Sequence, residues 1–191
     1  MILSDITLRE YGDKLIQPFE AKQVKETKTG KVISYGCSSY GYDIRLAKDC
    51  RLAMPDTVLD PHGASTGCFG LMKIQVNEKG QKYVSVPPHG FVLAHSYEHI
   101  DMPDDVLCIC QGKSTYARSG IVVNVTPLEP GWSGYITLEL SNTTDAWVPL
   151  YVEEGIAQLL FFRGDRPCET TYRDRKGKYQ DQPAEPVTSK V

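Results

Sequence analysis

Short runs of β-branched and aromatic residues, about ten residues apart, constrain the fold of this chain more than any other feature of its sequence. Gly, Pro, Asn and Asp separate the runs, and these residue types favour turns over regular structure. Many short strands punctuated in this way are typical of β-sandwiches and β-barrels. The sequence therefore predicts a mainly β protein, with strands in the runs YDIRLA, KYVSV, GFVLAHSY, VLCIC, GIVVNV, YITLEL and IAQLLFF.

The first residues of the chain follow a different pattern. Ser4 stands at a possible N-cap, and apolar residues follow at Ile6, Leu8 and Leu15 before Pro18. Serine is favoured at the start of a helix, whereas proline cannot continue one. The segment therefore predicts one short amphipathic helix that ends at Pro18.

The length of 191 residues fits one domain, and a chain of this size buries roughly 70% of its unfolded surface without needing a disulfide or a metal. No repeat or Gly/Ser linker divides the sequence, so we expect a single domain over 1–191. From residue 169 onward the composition becomes charged and polar, and such segments lack the apolar content to order themselves. Residues 169–191 are therefore expected to form a mobile segment.

The charge balance excludes several classes of partner. The formal net charge is −3 and the isoelectric point is about 5.8, whereas nucleic-acid and membrane binders normally carry a basic excess. No apolar run approaches the ~18 residues of a membrane span. We therefore expect a soluble protein with no nucleic-acid and no membrane partner.

The six cysteines suit free thiols better than a disulfide framework. The chain shows no signal peptide and is too large to need such a framework, so a cytoplasmic location is expected. Cys108 and Cys110 stand two apart in an apolar run, which places both on one face of a strand. We expect both to be buried as small apolar side chains.

The stretch from Gly112 to Leu140 concentrates groups that bind phosphate or carry protons. Cationic and hydroxyl side chains come first, at Lys113, Ser114, Thr115 and Arg118. The letters GKST suggest a Walker A loop, but that motif requires another glycine where Leu107 stands. A phosphate site of a different kind, built from side chains and loop N–H groups, is therefore expected.

Glu139 interrupts an apolar strand pattern in the same stretch. Within YITLELS, three apolar side chains alternate with three others, so the two sets face opposite sides of a strand: Ile136, Leu138 and Leu140 against Tyr135, Thr137 and Glu139. The apolar set can face a core while Thr137 and Glu139 face a pocket. A carboxylate on a strand is more often a solvated outer residue, so the alternation alone leaves both interpretations open.

Several blocks of the sequence, in order, closely resemble the dCTP deaminases, a branch of the trimeric dUTPase-like superfamily, in the form typical of proteobacterial members. The resemblance runs nearly end to end. Its blocks are SSYGYDIR (38–45), PPHGFVLAHSYEHIDMP (87–103), GKSTYAR (112–118), GWSGYITLELSNTT (131–144), EGIAQLLFF (154–162) and TYRDRKGKYQDQ (171–182).

This resemblance implies a distorted, jelly-roll-like β-barrel of the dUTPase type and the hydrolysis of dCTP to dUTP and ammonia, which feeds thymidylate synthesis. Glu139 is then the general acid and base, while Ser114 and Arg118 orient the water and stabilise the tetrahedral intermediate. A homotrimer with active sites between subunits is also implied, and dTTP is a possible inhibitor.

The resemblance further implies which residues bind the nucleotide. Main-chain groups from Thr137 to Glu139 read the base, residues of the GKSTYAR loop hold the triphosphate with its Mg²⁺, and the segment 169–191 folds over the substrate as a lid. The full set of expected contacts is Lys113, Ser114, Thr115, Tyr116, Ala117, Arg118, Thr137, Leu138, Glu139, Gln158, Tyr172, Lys178 and Gln182.

Zinc is not expected in this mechanism. Zinc-dependent nucleobase deaminases carry an H-x-E motif and a P-C-x-x-C motif, and neither occurs in this sequence. His95 and His99 are expected to be ordinary surface or edge residues. Without zinc, a desolvated carboxylate and fixed hydrogen-bond donors must activate the water.

Two alternatives remain open, and a few motif residues are read as structural. The enzyme could act as a dUTPase or proceed from dCTP to dUMP and diphosphate, in which case Glu129 would matter, or the chain could be a non-catalytic nucleotide-binding β-domain. Asp43 and Arg45 are read as a buried ion pair, and Trp132 as packing at a turn.

Overall fold

The computed structural model describes all 191 residues and is mainly β, with a short N-terminal helix. Short 3-10 helices lie at Gly12–Lys14 and Thr66–Cys68. The helices and strands are α1 Asp5–Tyr11, β1 Ile16–Gln17, β2 Val24–Thr27, β3 Gly30–Ser38, β4 Gly41–Arg45, β5 Arg51–Ala53, β6 Phe69–Leu71, β7 Gln75–Val76, β8 Lys82–Val86, β9 Phe91–Asp101, β10 Val106–Gly112, α2 Ser114–Ala117, β11 Ile121–Asn124, β12 Ser133–Asn142, β13 Val148–Tyr151 and β14 Gly155–Arg163.

The strands form two large antiparallel sheets and one small sheet. The six-stranded sheet has the order β11-β12-β9-β5-β6, with β1 paired to β9, and the five-stranded sheet has the order β10-β14-β4-β3-β2. The small sheet has the order β13-β8-β7. Isolated β-bridges also lie outside these sheets. One joins Leu46, which follows β4, to Ser96 of β9, and another joins Cys108 of β10 to Leu128. The expected mainly β fold with a short N-terminal helix is confirmed.

One apolar core of 31 buried residues draws on both large sheets. Every sequence run that was predicted to form a strand does so. The seven runs correspond to β4, β8, β9, β10, β11, β12 and β14. Cys108 and Cys110 are both buried, as expected for small apolar side chains on one strand face. No helix of the structure is both long enough and apolar enough to cross a bilayer.

The N-terminal helix is shorter than predicted. It ends at Gly12, whose φ of +53° suits glycine, and a 3-10 helix and β1 follow before Pro18 is reached. Leu8 and Leu15 are buried as expected, but Ile6 is 63% exposed. The prediction that Pro18 ends the helix was wrong because the α-helix already ends at Gly12.

The sequence pattern missed the hairpin formed by β2 and β3. β2 reads VKET and is half-buried only at Val24, since it forms the outer edge of the five-stranded sheet. An edge strand that buries so little has no apolar alternation to reveal it. The pattern also missed β3 and β5, although both lie inside their sheets.

The predicted ion pair between Asp43 and Arg45 does not form. These residues are two apart on β4, and each finds its partner elsewhere in the chain. Arg45 pairs with Glu98 of β9 at 2.6 Å, while Asp43 pairs with Lys113 at 2.5 Å. Both residues are buried, so their structural role holds although the pairing was wrong.

Candidate active site

A cavity of about 560 Å³ beside β12 is lined by Glu139, and its volume is in the range of small-molecule sites. Strand β12, the chain that precedes it and the C-terminal segment form the walls. The lining residues are Leu107, Val125, Thr126, Pro127, Leu128, Glu129, Pro130, Trp132, Ile136, Thr137, Glu139, Tyr172, Tyr179 and Gln182.

The alternation of side chains along β12 places Glu139 in this cavity. Leu138 and Leu140 are fully buried in the core, whereas Thr137 and Glu139 line the cavity on the opposite face of the strand. Ile136 is buried and also reaches the cavity wall. The predicted division of β12 is therefore confirmed for Leu138, Leu140, Thr137 and Glu139, while Ile136 contacts both the core and the cavity.

The carboxyl group of Glu139 is desolvated and has no cationic partner. Burial raises the pKa of Glu139 to about 7, while a hydrogen bond from its own backbone N–H lowers the pKa by less. Glu139 takes part in none of the ion pairs of the chain. Near neutral pH the group can therefore both accept and donate a proton, as acid–base catalysis requires.

A bulge in β12 gives the cavity an additional backbone donor. The pairing of β12 with β9 shifts register between Tyr135 and Thr137, and a bulge of this kind interrupts the ladder hydrogen bonds. The N–H of Thr137 donates instead to Oε1 of Gln182, at 3.3 Å. The Thr137 N–H therefore points toward the C-terminal segment rather than toward β9.

The C-terminal segment packs against the chain that enters β12. The N–H of Tyr172 donates to the carbonyl oxygen of Pro130 at 2.9 Å, and the indole N–H of Trp132 donates to that of Tyr179 at 2.7 Å. Trp132 is 5% exposed, so it packs as expected and also holds this segment. Sequence reasoning missed that second role and the position of Tyr179 in the cavity wall.

Of the three residues of the C-terminal segment that were expected to contact the nucleotide, only two lie in the Glu139 cavity. Tyr172 and Gln182 line the Glu139 cavity, whereas Lys178 does not. The ammonium of Lys178 lies 5.3 Å from the ring centre of Tyr179. Two of the three expected contacts are therefore close to Glu139 within one chain.

The GKSTYAR loop does not line this cavity. α2 carries Ser114, Thr115 and Ala117 on the surface, and the exposed Arg118 donates from Nη1 to the carbonyl oxygen of Ser114 at 3.2 Å. Tyr116 is buried, and its hydroxyl accepts from the N–H of Tyr151 at 2.8 Å. A single chain therefore does not bring Ser114 and Arg118 to Glu139.

Comparison with known proteins decides the family. The sequence profile of the dCTP deaminase-like family matches residues 2–164. The chain belongs to this family. A dCTP deaminase of Chromobacterium violaceum is 48% identical over 186 residues, which are 95% of each chain, and one of Acidobacterium capsulatum is 48% identical over 184 residues, 95% and 94% of the two chains.

A solved structure shares the fold. The dCTP deaminase of Agrobacterium tumefaciens superimposes with a TM-score of 0.58 at 17% sequence identity, over 85% of the present chain. That protein is longer, and the present chain spans 48% of it. Because the identity is low, this similarity concerns the fold alone.

In this member of the dCTP deaminase-like family, Lys113 and Gln158 contact neighbouring strands. The ammonium of Lys113 lies 2.5 Å from Asp43 and donates to the hydroxyl of Ser34 at 3.4 Å. The side-chain amide of Gln158 donates to the hydroxyl of Ser38 at 3.2 Å. A phosphate that used the Lys113 side chain would therefore compete with Asp43.

A second carboxylate lines the Glu139 cavity. Glu129 pairs with Arg175 of the C-terminal segment, and the guanidinium of Arg175 lies 5.6 Å from the ring centre of Tyr172. The pair is roughly half exposed, so it contributes little to stability. While the C-terminal segment is packed, Arg175 nevertheless keeps the Glu129 carboxylate in an ion pair.

A larger cavity of about 840 Å³ contains none of the predicted site residues. His95 and His99 line it, and their rings lie 5.9 Å and 5.2 Å from the ring of Tyr135. His95 is 6% exposed and lies on a central strand, so the expectation that it is a surface or edge residue was wrong. The period-two pattern of β9 could have revealed that both histidines share one face.

No group of three or more His, Cys, Asp or Glu side chains is arranged to hold a metal ion.

Proposed function

We propose that this protein hydrolyses dCTP to dUTP and ammonia. The observation that carries the proposal is the unpaired carboxyl group of Glu139, whose pKa burial raises to about 7 in a cavity of about 560 Å³. Relatives named dCTP deaminase, 48% identical over 95% of the chain, support the choice of substrate. A cytoplasmic location and a role in supplying dUTP for thymidylate synthesis belong to the same proposal.

In the proposed mechanism, the Glu139 carboxylate takes a proton from a water molecule as the water oxygen attacks C4 of cytosine. The proton passes to N3, which gives a tetrahedral intermediate at C4. Glu139 then moves a proton from the new hydroxyl to the amino nitrogen, the C4–N4 bond breaks, and ammonia leaves as the C4 carbonyl forms. A group with a pKa near the working pH suits both transfers.

The remaining catalytic groups are proposed to come from a neighbouring copy of the chain. Ser114 and Arg118 do not line the cavity of their own chain, yet hydroxyl and guanidinium groups are the donors that would orient the water and stabilise negative charge. A homotrimer with each site between two subunits would bring the exposed loop of one copy to Glu139 of the next.

The triphosphate, with its bound Mg²⁺, is proposed to lie on the loop from Lys113 to Arg118. Ser114 and Thr115 are exposed and can donate hydroxyl hydrogen bonds, while Lys113 would exchange Asp43 for phosphate. The backbone of Tyr116 and Ala117 is proposed to contribute to the same loop. Leu138 is proposed to contact the base through its backbone on β12, and Gln158 of β14 is proposed to contact the nucleotide. dTTP carries the same triphosphate and would compete for the loop.

The C-terminal segment, residues 169–191, is proposed to act as a mobile lid over the bound nucleotide. Tyr172 and Gln182 already line the cavity, and Lys178 lies between them in sequence. Its backbone hydrogen bonds to Pro130, Ser133 and Tyr135 support a closed position. Exclusion of water by such a lid would keep Glu139 desolvated.

A second candidate is an enzyme that continues from dCTP to dUMP and diphosphate. The presence of Glu129 in the same cavity favours it, because a second carboxylate could activate water against the α-phosphate. The ion pair with Arg175 argues the other way. A non-catalytic binding domain is the least favoured, since an unpaired buried carboxylate costs stability that binding alone would not require.

The test is to incubate the purified protein with dCTP and Mg²⁺ and to separate the nucleotides by anion-exchange chromatography. We expect dUTP to accumulate together with an equal amount of ammonia. Formation of dUMP and diphosphate would select the second candidate. Unchanged dCTP, in a preparation that sediments as a trimer, would refute the deaminase proposal.

A further inference from the structure

The guanidinium of Arg45 uses only part of its hydrogen-bonding capacity. Its Nε–H donates to Oε1 of Glu98 at 2.6 Å, and this is the only hydrogen bond that the side chain makes. Nη2 is buried and has no acceptor within the chain. A guanidinium carries five N–H donors, and buried donors in folded proteins are nearly always hydrogen-bonded. The two Nη groups of Arg45 are therefore suited to an acceptor from outside the chain.

Arg45 lies in the wall of a cavity of about 360 Å³, a volume that suits a small ligand. The Arg45 side chain is only 9% exposed, so the guanidinium is held by the fold rather than free in solvent. The remaining walls come from the hairpin of β2 and β3, the start of β8, strand β9 and the turn before β14. This cavity shares no lining residue with the Glu139 cavity.

Two aromatic rings determine which edge of the guanidinium a ligand can reach. The centres of the Tyr35 and Tyr97 rings lie 4.6 Å and 4.2 Å from Cζ of Arg45, as in stacked cation–π contacts. Glu98 takes the Nε–H, so the edge that carries the two Nη groups is the one left for a ligand. Tyr97 is 40% exposed, and a small movement of its ring would open Nη2 to the cavity.

The charges around the cavity favour a monoanion. Lys28 and Lys82 are exposed in its wall, where the carboxyl groups of Glu153 and Glu154 also lie. Both oxygens of Glu154 already accept hydrogen bonds within the chain, and Arg45 is already paired. The positive and negative charges are nearly balanced, so a triphosphate would meet too few cations. One carboxylate needs only the free edge of the guanidinium, because two parallel N–H groups match its two oxygens.

We propose that this cavity binds a small monocarboxylate, whose two oxygens accept from Nη1 and Nη2 of Arg45 between the rings of Tyr35 and Tyr97. Lys28, in the turn between β2 and β3, adds a positive charge at the cavity wall. The inference is independent of the reaction proposed for Glu139. A ligand that binds only the folded chain stabilises it, so carboxylate binding here would strengthen the fold around β4 and β9.

The first test measures acetate binding to the full chain by saturation-transfer difference NMR, titrated to give a dissociation constant. Arg45→Lys keeps a positive charge for Glu98 but removes the Nη pair, so acetate should bind at least about tenfold more weakly. The double variant Arg45→Met with Glu98→Leu removes the guanidinium together with its counter-charge and should show the same loss.

Arg51→Lys is the matched control for these variants, because Arg51 is also ion-paired but lies outside the cavity. It should bind acetate as the wild type does. No saturation transfer to acetate in the wild type would mean that water alone solvates the Nη groups, and the proposal would be wrong. Equal binding by the wild type and either Arg45 variant would also overturn it.

The second test asks where acetate binds and which anion the site prefers. In Glu139→Gln, which should turn dCTP over slowly, saturating dCTP should leave the acetate signal unchanged because the two cavities share no lining residue. Loss of the signal would place acetate in the Glu139 cavity and refute the site at Arg45. Formate should displace acetate more effectively than inorganic phosphate at the same concentration. The reverse order would refute the assignment to a carboxylate.

Discussion

Glu98 and Glu139 lie on the paired strands β9 and β12 of one sheet, yet their surroundings differ in one respect. Glu98 is fully buried, and its two oxygens accept from the backbone N–H and the Nε–H of Arg45 at 2.9 Å and 2.6 Å. Glu139 is also desolvated but has no cation beside it. Burial raises the pKa of both carboxyl groups, but Glu98 has a cation to balance its charge, whereas Glu139 can lose its charge only by taking a proton.

This difference explains how one sheet can contain both a structural carboxylate and a reactive one. The guanidinium of Arg45 lies between the rings of Tyr35 and Tyr97, at 4.6 Å and 4.2 Å from their centres, so the Glu98 pair is fixed from several sides. Glu139 instead faces a cavity. Arg45 therefore stabilises the charged form of Glu98, whereas no cation stabilises that of Glu139.

The largest effect is expected on turnover when Glu139 is replaced. Glu139→Gln should lower kcat for dCTP by about 10²-fold to 10⁴-fold, because the amide cannot move the protons that the carboxyl group moves. Steady-state kinetics on dCTP measures this change. Glu153→Gln, an exposed glutamate outside the Glu139 cavity, is the control and should retain activity. Near-normal turnover of Glu139→Gln would remove Glu139 from the mechanism.

The corresponding change at Glu98 should act on stability instead. Glu98→Gln should destabilise the fold by about 3–5 kcal/mol, because it leaves the Arg45 guanidinium buried without a counter-charge. Urea unfolding at pH 7 measures the loss. The double variant Glu98→Leu with Arg45→Met should recover much of it. A loss below about 1 kcal/mol in Glu98→Gln would mean that the ion pair is not the element that fixes β4 to β9.

The pH dependence of stability should reveal the raised pKa of Glu139. Burial raises the pKa of Glu139 to about 7 in the folded protein. Between about pH 4.5 and pH 7 the folded state therefore binds more protons than the unfolded state, so stability falls as pH rises and levels off above pH 7.

Relative to Glu139→Gln, the wild type should lose roughly 3 kcal/mol across that window. Unfolding of both proteins at several pH values measures the difference, and parallel curves would contradict the raised pKa. The kcat/KM of the wild type should fall below about pH 7, where Glu139 holds its proton.

Removal of the C-terminal segment should act on Glu139 and not on the ion pair of Glu98. A chain that ends at Thr171 should show a KM for dCTP about tenfold higher, because the removed residues include Tyr172 and Gln182 of the cavity wall. The pH at which kcat/KM falls should also decrease, since water would reach Glu139. An unchanged KM, kcat and pH profile would make the segment dispensable for catalysis.

The smallest effect is expected from zinc removal. Treatment with a strong zinc chelator, followed by restoration of Mg²⁺, should leave dCTP turnover unchanged. Activity that is lost and returns only with added zinc would refute the glutamate mechanism and make the comparison between Glu98 and Glu139 irrelevant to catalysis.

The sequence predicted the structure correctly where apolar and polar side chains alternate in the same way as buried and exposed positions. The alternation of YITLEL predicted that Leu138 and Leu140 face the core while Glu139 faces a pocket. Seven strands were found from their apolar runs, whereas the interior strands β3 and β5 were not predicted. The edge strand β2 was missed because it buries too little to show a pattern. Local patterns therefore predicted the elements and the orientation of Glu139.

The sequence by itself determined the mainly β architecture and the face on which Glu139 stands, because strand formation and side-chain alternation depend on residues close together along the chain. Only the tertiary structure decided which charge pairs with which. Asp43 and Arg45 are two residues apart, but their partners Lys113 and Glu98 come from distant parts of the chain. Burial without a partner, the property that raises the pKa of Glu139, likewise exists only once the strands and the C-terminal segment have packed together.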